Sequence, residues 1–320
     1  MRGIGAVVAA AAIGTASFAS INAASSGEDL RSQLTFIAPA AAGGGWDAVA
    51  REMQQAQRAN GIVNNTQVVN MPGAGGTIAL GNLSVLEGDP SNILVGGTGL
   101  LAATIQYDSA TTLDDVNPLA LAVDEYDVIV VPEDSPYESL DDLVAAWKEN
   151  PGAVPWTGGG SFDQLVITEL ALEAGIDPVD MTYISSDGGG EATQALLNGT
   201  AKASASGYPD SVDQIESGRL RPLALVAPEP VEEIDIPTAR ELGYDVTLSN
   251  WRILLGPPGV TEEQVDEQRE IVMETLDTPE WAAAEERYSW TEHVLTGQEL
   301  EDFLEEENTR IAELYEEMGQ

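Results

Sequence analysis

Apolar residues along this chain come in short runs separated by segments of helical periodicity. Residues 33–38 form the first run, and after them apolar side chains recur with the spacing of one helical face at Trp46, Val49, Ala50 and Met53. Further runs predict strands at residues 66–70, 92–95, 127–131, 154–157, 181–185, 202–205, 220–226 and 250–255. Strands alternating with helices predict an α/β fold of two doubly wound, mostly parallel sheets, which bind ligands at the carboxyl ends of their strands.

Glycine-rich segments follow several of the predicted strands, at residues 43–47, 73–77, 158–161 and 188–190. Glycine lets a ligand approach the main chain closely, and a helix N-terminus offers unpaired N–H donors with a partial positive charge. Tight turn packing would explain any one segment, and Ser161 with Gln164 also fits a helix-capping sequence. The recurrence of such segments at strand ends favours a binding site for an anion.

The first glycine segment also fits a degenerate dinucleotide-binding pattern, because GGGWDA at residues 43–48 matches G-x-G-x-x-A after a strand. The rest of that fingerprint is missing, since Asn70 stands where an acidic residue would hold a ribose. No Gly-Lys-Ser/Thr sequence follows any glycine run, so a P-loop is absent too. We therefore expect no cofactor.

The charge balance narrows the possible functions. The chain has 54 acidic against 13 basic residues and a formal charge of −41, which repels phosphate backbones and excludes nucleic-acid binding. It contains no cysteine, and His293 is its single histidine, so neither a Ser-His-Asp triad nor a histidine metal site is expected. Such an acidic surface is tolerated best in salt, which predicts a halophilic protein whose thermal midpoint depends on NaCl concentration.

The N-terminal residues predict export. Met1 and Arg2 precede an uncharged, alanine-rich stretch that ends in small residues, so we interpret residues 1–24 as a signal peptide that is removed. An uncleaved anchor helix is the alternative, because the stretch is long enough to approach a membrane span. The mature protein is expected in the periplasm or another extracytoplasmic space.

Because the protein is so acidic, an anionic ligand needs cations or hydrogen-bond donors close to its binding site. Few cations lie near the glycine segments, namely Arg51 and Arg252. Arg252, flanked by Asn250 and Trp251, forms either a bidentate clamp for a carboxylate or a surface ion pair. Backbone N–H groups and hydroxyls are expected to supply most of the binding, with a roughly micromolar dissociation constant.

Several motifs together resemble one protein family. They are PAAAGGGWDAVAR at residues 39–51, NMPGAGGT at 70–77, VVPEDSPY at 130–137, GGGS at 158–161, GGGEA at 188–192, SGY at 206–208 and NWR at 250–252. In this order they resemble the substrate-binding proteins of tripartite tricarboxylate transporters, the TctC/Bug family. The resemblance implies a two-lobed, type II periplasmic-binding-protein-like fold. It also implies closure on a small di- or tricarboxylate and delivery to a membrane permease of one large and one small subunit.

The resemblance assigns ligand-binding residues by matching position. In the first lobe they are Gly44, Gly45, Asp47, Gly75, Gly76, Thr77 and Thr98, and in the second Ser161, Gly189, Gly190 and Tyr208, with Arg252 added for its charge. Asp47 has a second interpretation as a favourable charge in the first helical turn. Asp163 and Glu191 make the second set of loops more acidic, which favours a substrate other than citrate.

The resemblance also predicts domain boundaries. The first lobe would comprise residues 25–126 and 249–320 and the second residues 127–248, joined by two crossovers that act as a hinge. We expect a monomer whose open–closed equilibrium is shifted by ligand. A ligand-sensing protein that signals to a membrane kinase would have the same lobes and site. An enzyme acting on a carboxylate is the third hypothesis, without histidine or cysteine to support its chemistry.

Overall fold

The computed structural model describes residues 30–186, 188–232 and 234–319. The predicted signal peptide, residues 1–24, lies outside the described residues. Within the described part, no helix combines the length and the apolar character needed to cross a membrane. The strands form two separate sheets with helices packed around them, as the alternating pattern predicts.

Eleven strands within the described residues make up the two sheets. In chain order they are β1 (Leu34–Ala38), β2 (Thr66–Asn70), β3 (Asn92–Gly97), β4 (Asn117–Glu125), β5 (Asp127–Pro132), β6 (Trp156–Gly158), β7 (Tyr183–Ser185), β8 (Ala203–Gly207), β9 (Leu220–Val226), β10 (Asn250–Gly256) and β11 (Thr291–Leu295). The first sheet has the order β11-β4-β10-β3-β1-β2 and the second the order β7-β6-β8-β5-β9. The first sheet takes strands from both ends of the described chain, and the second from its middle.

Ten α-helices in the same residues pack around the sheets. They are α1 (Gly45–Asn60), α2 (Thr77–Val85), α3 (Thr98–Gln106), α4 (Leu140–Glu149), α5 (Ser161–Glu173), α6 (Gly189–Leu197), α7 (Tyr208–Glu216), α8 (Glu262–Leu276), α9 (Pro279–Tyr288) and α10 (Gly297–Glu317). Short 3-10 helices occur at Ala74–Gly76, Leu113–Asp115, Pro151–Ala153 and Pro178–Asp180. Helix α1 confirms the predicted helical face, because Val49, Ala50 and Met53 are buried on one side of it.

The sheets are mixed rather than mostly parallel, which corrects the expectation from the alternating pattern. Pairs β1–β2, β1–β3, β6–β7 and β6–β8 are parallel, and the pairs that involve β4, β5 or β10 are antiparallel. At the two crossovers, Asp127 at the start of β5 pairs with Gly207 at the end of β8, and Asn250 at the start of β10 pairs with Glu125 at the end of β4. A strand that starts where its neighbours end must run antiparallel to them.

One apolar core runs through both sheets. It includes Leu94 of the first sheet and Ile129 of the second, both fully buried. The C-terminal helix α10 contacts both lobes, because it packs against β4 and its Arg310 pairs with Glu169 of α5. These shared contacts connect the two lobes beside the facing edges of their sheets.

Candidate functional site

A cavity of about 1120 Å³ lies between the two sheets. All four glycine segments line it, through residues 43–45, 73, 75, 159–160 and 188–190. The first two segments follow β1 and β2, and the other two follow β6 and β7. Because β1 is parallel to β2 and β6 is parallel to β7, the carboxyl ends of each pair meet at one sheet edge, and the two edges face the same cavity.

The cavity lining includes Gly44, Gly45, Gly75, Ser161, Gly189, Gly190 and Arg252 from the set of predicted ligand-binding residues. Helix α1 begins at Gly45 and α6 begins at Gly189, so the N–H groups of Gly45, Gly189 and Gly190 have no partner within their helix. Each of these helix ends also carries a partial positive charge. The lining can therefore hold an anion through main-chain donors from both lobes.

The remaining predicted residues, Asp47, Gly76, Thr77, Thr98 and Tyr208, lie outside the cavity lining. The Thr77 hydroxyl donates to the carbonyl of Ala74 at 2.9 Å, and Tyr208 packs against the core of the second lobe. Gly76 has a φ of +98° and forms the turn that leads into α2, a conformation that favours glycine. These residues support the loops but do not line the cavity.

Asp47 is buried beneath the first loop. Its carboxylate accepts hydrogen bonds from Gly43 N at 2.8 Å, Arg51 Nε at 2.8 Å and Asn70 Nδ2 at 2.7 Å. Burial raises the pKa of Asp47, but the hydrogen bonds from Arg51, Gly43 and Asn70 outweigh burial and hold the pKa below its ordinary value. Asp47 therefore stays charged and ties the first glycine loop to the end of β2.

Thr98 lies where the chain returns from the second sheet to the first. Its hydroxyl donates to the carbonyl of Ser249 at 2.8 Å and accepts from Trp251 N at 3.0 Å. Thr98 is also the first residue of α3 and is fully buried. It thus joins a helix of the first lobe to one of the two crossovers.

Ser161 is the first residue of α5 and not its cap, which corrects the helix-capping interpretation of this segment. Gly160 takes the cap position instead, because the first helical hydrogen bond runs from Gln164 N to the carbonyl of Gly160. The Ser161 hydroxyl instead donates to Gln106 Oε1 at 2.9 Å. Gln106 ends α3 in the first lobe, so this bond connects the two lobes at the cavity.

Arg252 is 5% exposed, and its guanidinium is engaged by the chain itself. Nη2 donates to Glu125 Oε2 at 2.9 Å, and Nη1 donates to Asn250 Oδ1 at 3.0 Å. Glu125 Oε2 also accepts from Trp290 Nε1 at 3.1 Å. The ion pair is therefore buried rather than on the surface, and two of the donors that a bidentate clamp would use are already engaged.

An acidic cluster lies beside the cavity, formed by Glu125, Asp127, Asp163 and Asp210, of which the sequence interpretation names Asp163 alone. Glu125 ends β4, Asp127 begins β5, and Asp163 and Asp210 lie in the first turns of α5 and α7. Each of them stands close to a predicted strand end or glycine segment, which is the signal that could have identified them. In the described part of the chain, no group of three or more His, Cys, Asp or Glu side chains could hold a metal ion.

Burial and mutual repulsion raise the pKa values of this acidic cluster. Burial, followed by the charges of Asp163, Glu125 and Asp210, raises the pKa of Asp127 well above its ordinary value. Burial raises the pKa of Asp163 to about 7, although Gly159 N donates to its carboxylate at 2.5 Å. Burial and then the charge of Glu125 raise the pKa of Asp210. The positive charge near the cluster is therefore too small to offset the burial and mutual repulsion of its carboxylates.

Comparisons with known proteins extend these observations. The family model described as "Tripartite tricarboxylate transporter family receptor" (TctC) matches residues 47–320. Protein BugT of Bordetella pertussis is 27% identical over 297 residues, which cover 89% of each chain. The periplasmic binding protein BugD superposes with a TM-score of 0.76 at 23% identity, over 90% of this chain and 97% of that one. Malate-bound MatC from Rhodopseudomonas palustris superposes with a TM-score of 0.74 at 22% identity, over 88% and 98% of the two chains.

The structural likeness confirms the predicted fold class. BugD is a periplasmic binding protein, and the superpositions on BugD and MatC cover 90% and 88% of this chain, which forms two sheets. The type II fold implied by the resemblance of the sequence motifs is thus the observed one.

Proposed function

Because the chain belongs to the TctC family of tripartite tricarboxylate transporter receptors, we propose that it binds a small carboxylate between its lobes and delivers it to a membrane permease. The family is one of receptors and not of enzymes. The observation that carries the proposal is the cavity of about 1120 Å³ lined by glycine loops and helix N-termini from both lobes. MatC, which has the same fold, was solved with malate bound, and malate is a dicarboxylate of the proposed class.

The carboxylate is held mainly by main-chain N–H groups. Gly45 in the first lobe and Gly189 and Gly190 in the second stand in the first turns of helices and line the cavity. Hydrogen bonds to a charged group contribute roughly 1.5 to 3 kcal/mol each. Four to six of them, less the cost of association, correspond to roughly micromolar affinity, which suits capture and release.

The other predicted residues have different parts in this proposal. Gly44, Gly75 and Ser161 bound the ligand space, since they line the cavity. Asp47, Gly76, Thr77, Thr98 and Tyr208 keep the loops and the crossover in position without touching the ligand. Arg252 supplies local positive potential, although Glu125 already engages one of its donors.

Ligand shifts an equilibrium between open and closed lobes in this proposal. Two chain crossovers, at Tyr126 and near Ser249, connect the sheets and permit a rigid-body hinge motion. The bond between Ser161 and Gln106 is a contact that closure would strengthen. X-ray scattering should show a smaller radius of gyration with ligand, and identical curves with and without a bound ligand would refute closure.

The protein acts outside the inner membrane as a monomer after a signal peptide at residues 1–24 is removed. It delivers its ligand to a permease of one large and one small subunit, the partner expected for this receptor family. Its charge of −41 suits a saline environment, in which salt screens self-repulsion. A melt that is flat from low to molar NaCl would contradict the halophilic part of this proposal.

A thermal-shift screen tests the binding function. The mature protein is melted in high salt with malate, succinate, citrate, glutarate, aspartate and glutamate. A ligand at one hundred times its dissociation constant stabilises the folded state by about 2.7 kcal/mol, so at least one acid should raise the midpoint in proportion to the logarithm of its concentration. No shift with any of these acids would overturn the proposal.

A pair of glycine variants locates the binding site. Gly190 and Gly81 are both helical glycines with open space where a Cβ would lie, but of these two positions the cavity lining includes Gly190. Gly190→Leu should abolish the ligand-induced shift, and Gly81→Leu should retain it. Equal shifts in the two variants would place the ligand elsewhere.

A further inference from the structure

The members of the acidic cluster approach one another around the end of β8. A Cβ built on Gly207 would lie 2.9 Å from Glu125 Oε1 and 3.7 Å from Asp210 Oδ2, so both oxygens border the same face of this glycine. A Cβ on Gly158 would lie 2.5 Å from the Cβ of Asp163, which brings the first turn of α5 against the end of the neighbouring strand β6. The carboxylates therefore come from different elements to one side of the cavity.

Asp127 gives independent evidence that the acidic cluster lacks a positively charged partner. It is 1% exposed, and among the described residues neither of its carboxylate oxygens has a hydrogen-bond partner. Asp127 stands directly opposite Gly207 in the antiparallel pair β5–β8, so its side chain lies on the same face as the Gly207 Cβ position. That face is the one bordered by Glu125 and Asp210. A buried carboxylate aimed at this space is costly unless a positive group meets it.

The cations of the chain do not meet this need. In the described residues, Arg252 is the basic side chain whose charge acts on Asp127 and Asp210, and its Nη2 is already bonded to Glu125. Arg287 also lines the cavity, but it pairs with Glu52 at 2.6 Å. Asp127, Asp163 and Asp210 have no salt bridge within the part of the chain that the structure describes.

The amide-lined side of the cavity lies next to this cluster. A Cβ on Gly45 would lie 2.8 Å from Arg252 Nη2, and the same nitrogen is bonded to Glu125. One guanidinium therefore separates the N-terminus of α1 from the acidic cluster. A single small molecule can contact both sides, with an anionic group at Gly45 and a cationic group at Asp163 and Asp210.

We propose that the ligand is an amino acid or another small aminocarboxylate, whose ammonium group is bound by Asp163 and Asp210 at the cavity, next to the buried Asp127 opposite Gly207. This inference rests on the proposed function, because it assumes that the cavity is the ligand site. An ammonium group has three donors and a full positive charge, which matches several carboxylates facing one space. A carboxylic acid without a nitrogen would leave these carboxylates unpaired and would be repelled by them.

Matched ligand pairs test the inference. Isothermal titration at pH 7.5 in high salt compares aspartate with succinate, glutamate with glutarate, and 4-aminobutyrate with butyrate. In at least one pair the amino compound should bind tenfold or more tightly than its deaminated partner. If the deaminated compound bound equally well or better in every pair, the inference would be overturned and the carboxylate function would remain intact. No binding by any compound would overturn the proposed function itself.

Variants of the cluster assign the contact. Asp210 lines the cavity, and its carboxylate makes no hydrogen bond or salt bridge among the described residues, so Asp210→Asn should fold normally. It should reduce the preference for the amino compound tenfold or more by weakening that compound alone, and Asp163→Asn should do the same. Asp213→Asn, on the same helix α7 but outside the cavity lining, is the matched control and should change neither affinity. The assignment would be contradicted if both Asp210→Asn and Asp163→Asn kept the full preference for the amino compound. It would also be contradicted if they weakened both members of the pair equally.

Discussion

Gly159→Ala perturbs the contact between the two glycine loops of the second lobe. A Cβ on Gly159 would lie 2.6 Å from both Gly188 C and Gly189 N, whereas ordinary contacts begin near 3.4 Å. The second loop must therefore retreat by about 0.8 Å, because the obstructing atoms are backbone and cannot rotate away. Overpacking of this kind costs typically 1–3 kcal/mol. At about 2–4 °C per kcal/mol, the midpoint should fall by several degrees.

The same shift should weaken ligand binding, because it displaces the N–H groups of Gly189 and the following residue from their positions at the cavity. A loss of 1.4 kcal/mol is tenfold in the dissociation constant, so we expect at least tenfold weaker binding by titration calorimetry. The matched control is Gly160→Ala, at the adjacent position, where a Cβ meets nothing within 4 Å and φ is an extended 174°. If Gly159→Ala melted and bound like Gly160→Ala, the argument from close packing of the loops would be refuted.

Three further changes test the supporting contacts. Arg252→Gln leaves Glu125 buried without its cation and should destabilise the fold by about 3–5 kcal/mol in urea melts, a loss partly restored by adding Glu125→Gln. The hydrogen bond to Asp124 raises the pKa of His293, so its stabilising effect is full below about pH 6.5 and is lost as pH rises through the raised value. His293→Gln should remove that part of the pH dependence of stability, and an unchanged profile would contradict it. Asp47→Asn should cost about 1–2 kcal/mol by weakening hydrogen bonds to a charged group, and a neutral effect on the melt would contradict its role beneath the loop.

The convergence of the glycine loops could be predicted from the sequence for a local reason. Each loop directly follows a strand, and the carboxyl ends of parallel strands meet at one sheet edge. Helix α1 could likewise be predicted from the spacing of Val49, Ala50 and Met53, since burial of one helical face depends on a periodic pattern. These features need only short stretches of chain to be interpreted correctly.

The pairing of charged groups depends on distant stretches of chain and could not be predicted in this way. Arg252 and Glu125 are 127 positions apart and meet because β10 and β4 are neighbours in the sheet. The antiparallel crossovers also place Asp127 opposite Gly207, which no local pattern indicates. The acidic cluster thus follows from strand order, and the mostly parallel sheets expected from the alternating pattern would not have produced it.

The central claim is that main-chain amides of the glycine loops hold the ligand's carboxylate. It is tested most directly by NMR of protein labelled with ¹⁵N-glycine, titrated with the acid that raises the melting midpoint most. The account predicts large amide shifts for Gly45, Gly189 and Gly190 and almost none for Gly61 and Gly218, which lie outside the cavity lining. Saturating ligand that leaves the first three amides unmoved would contradict the account.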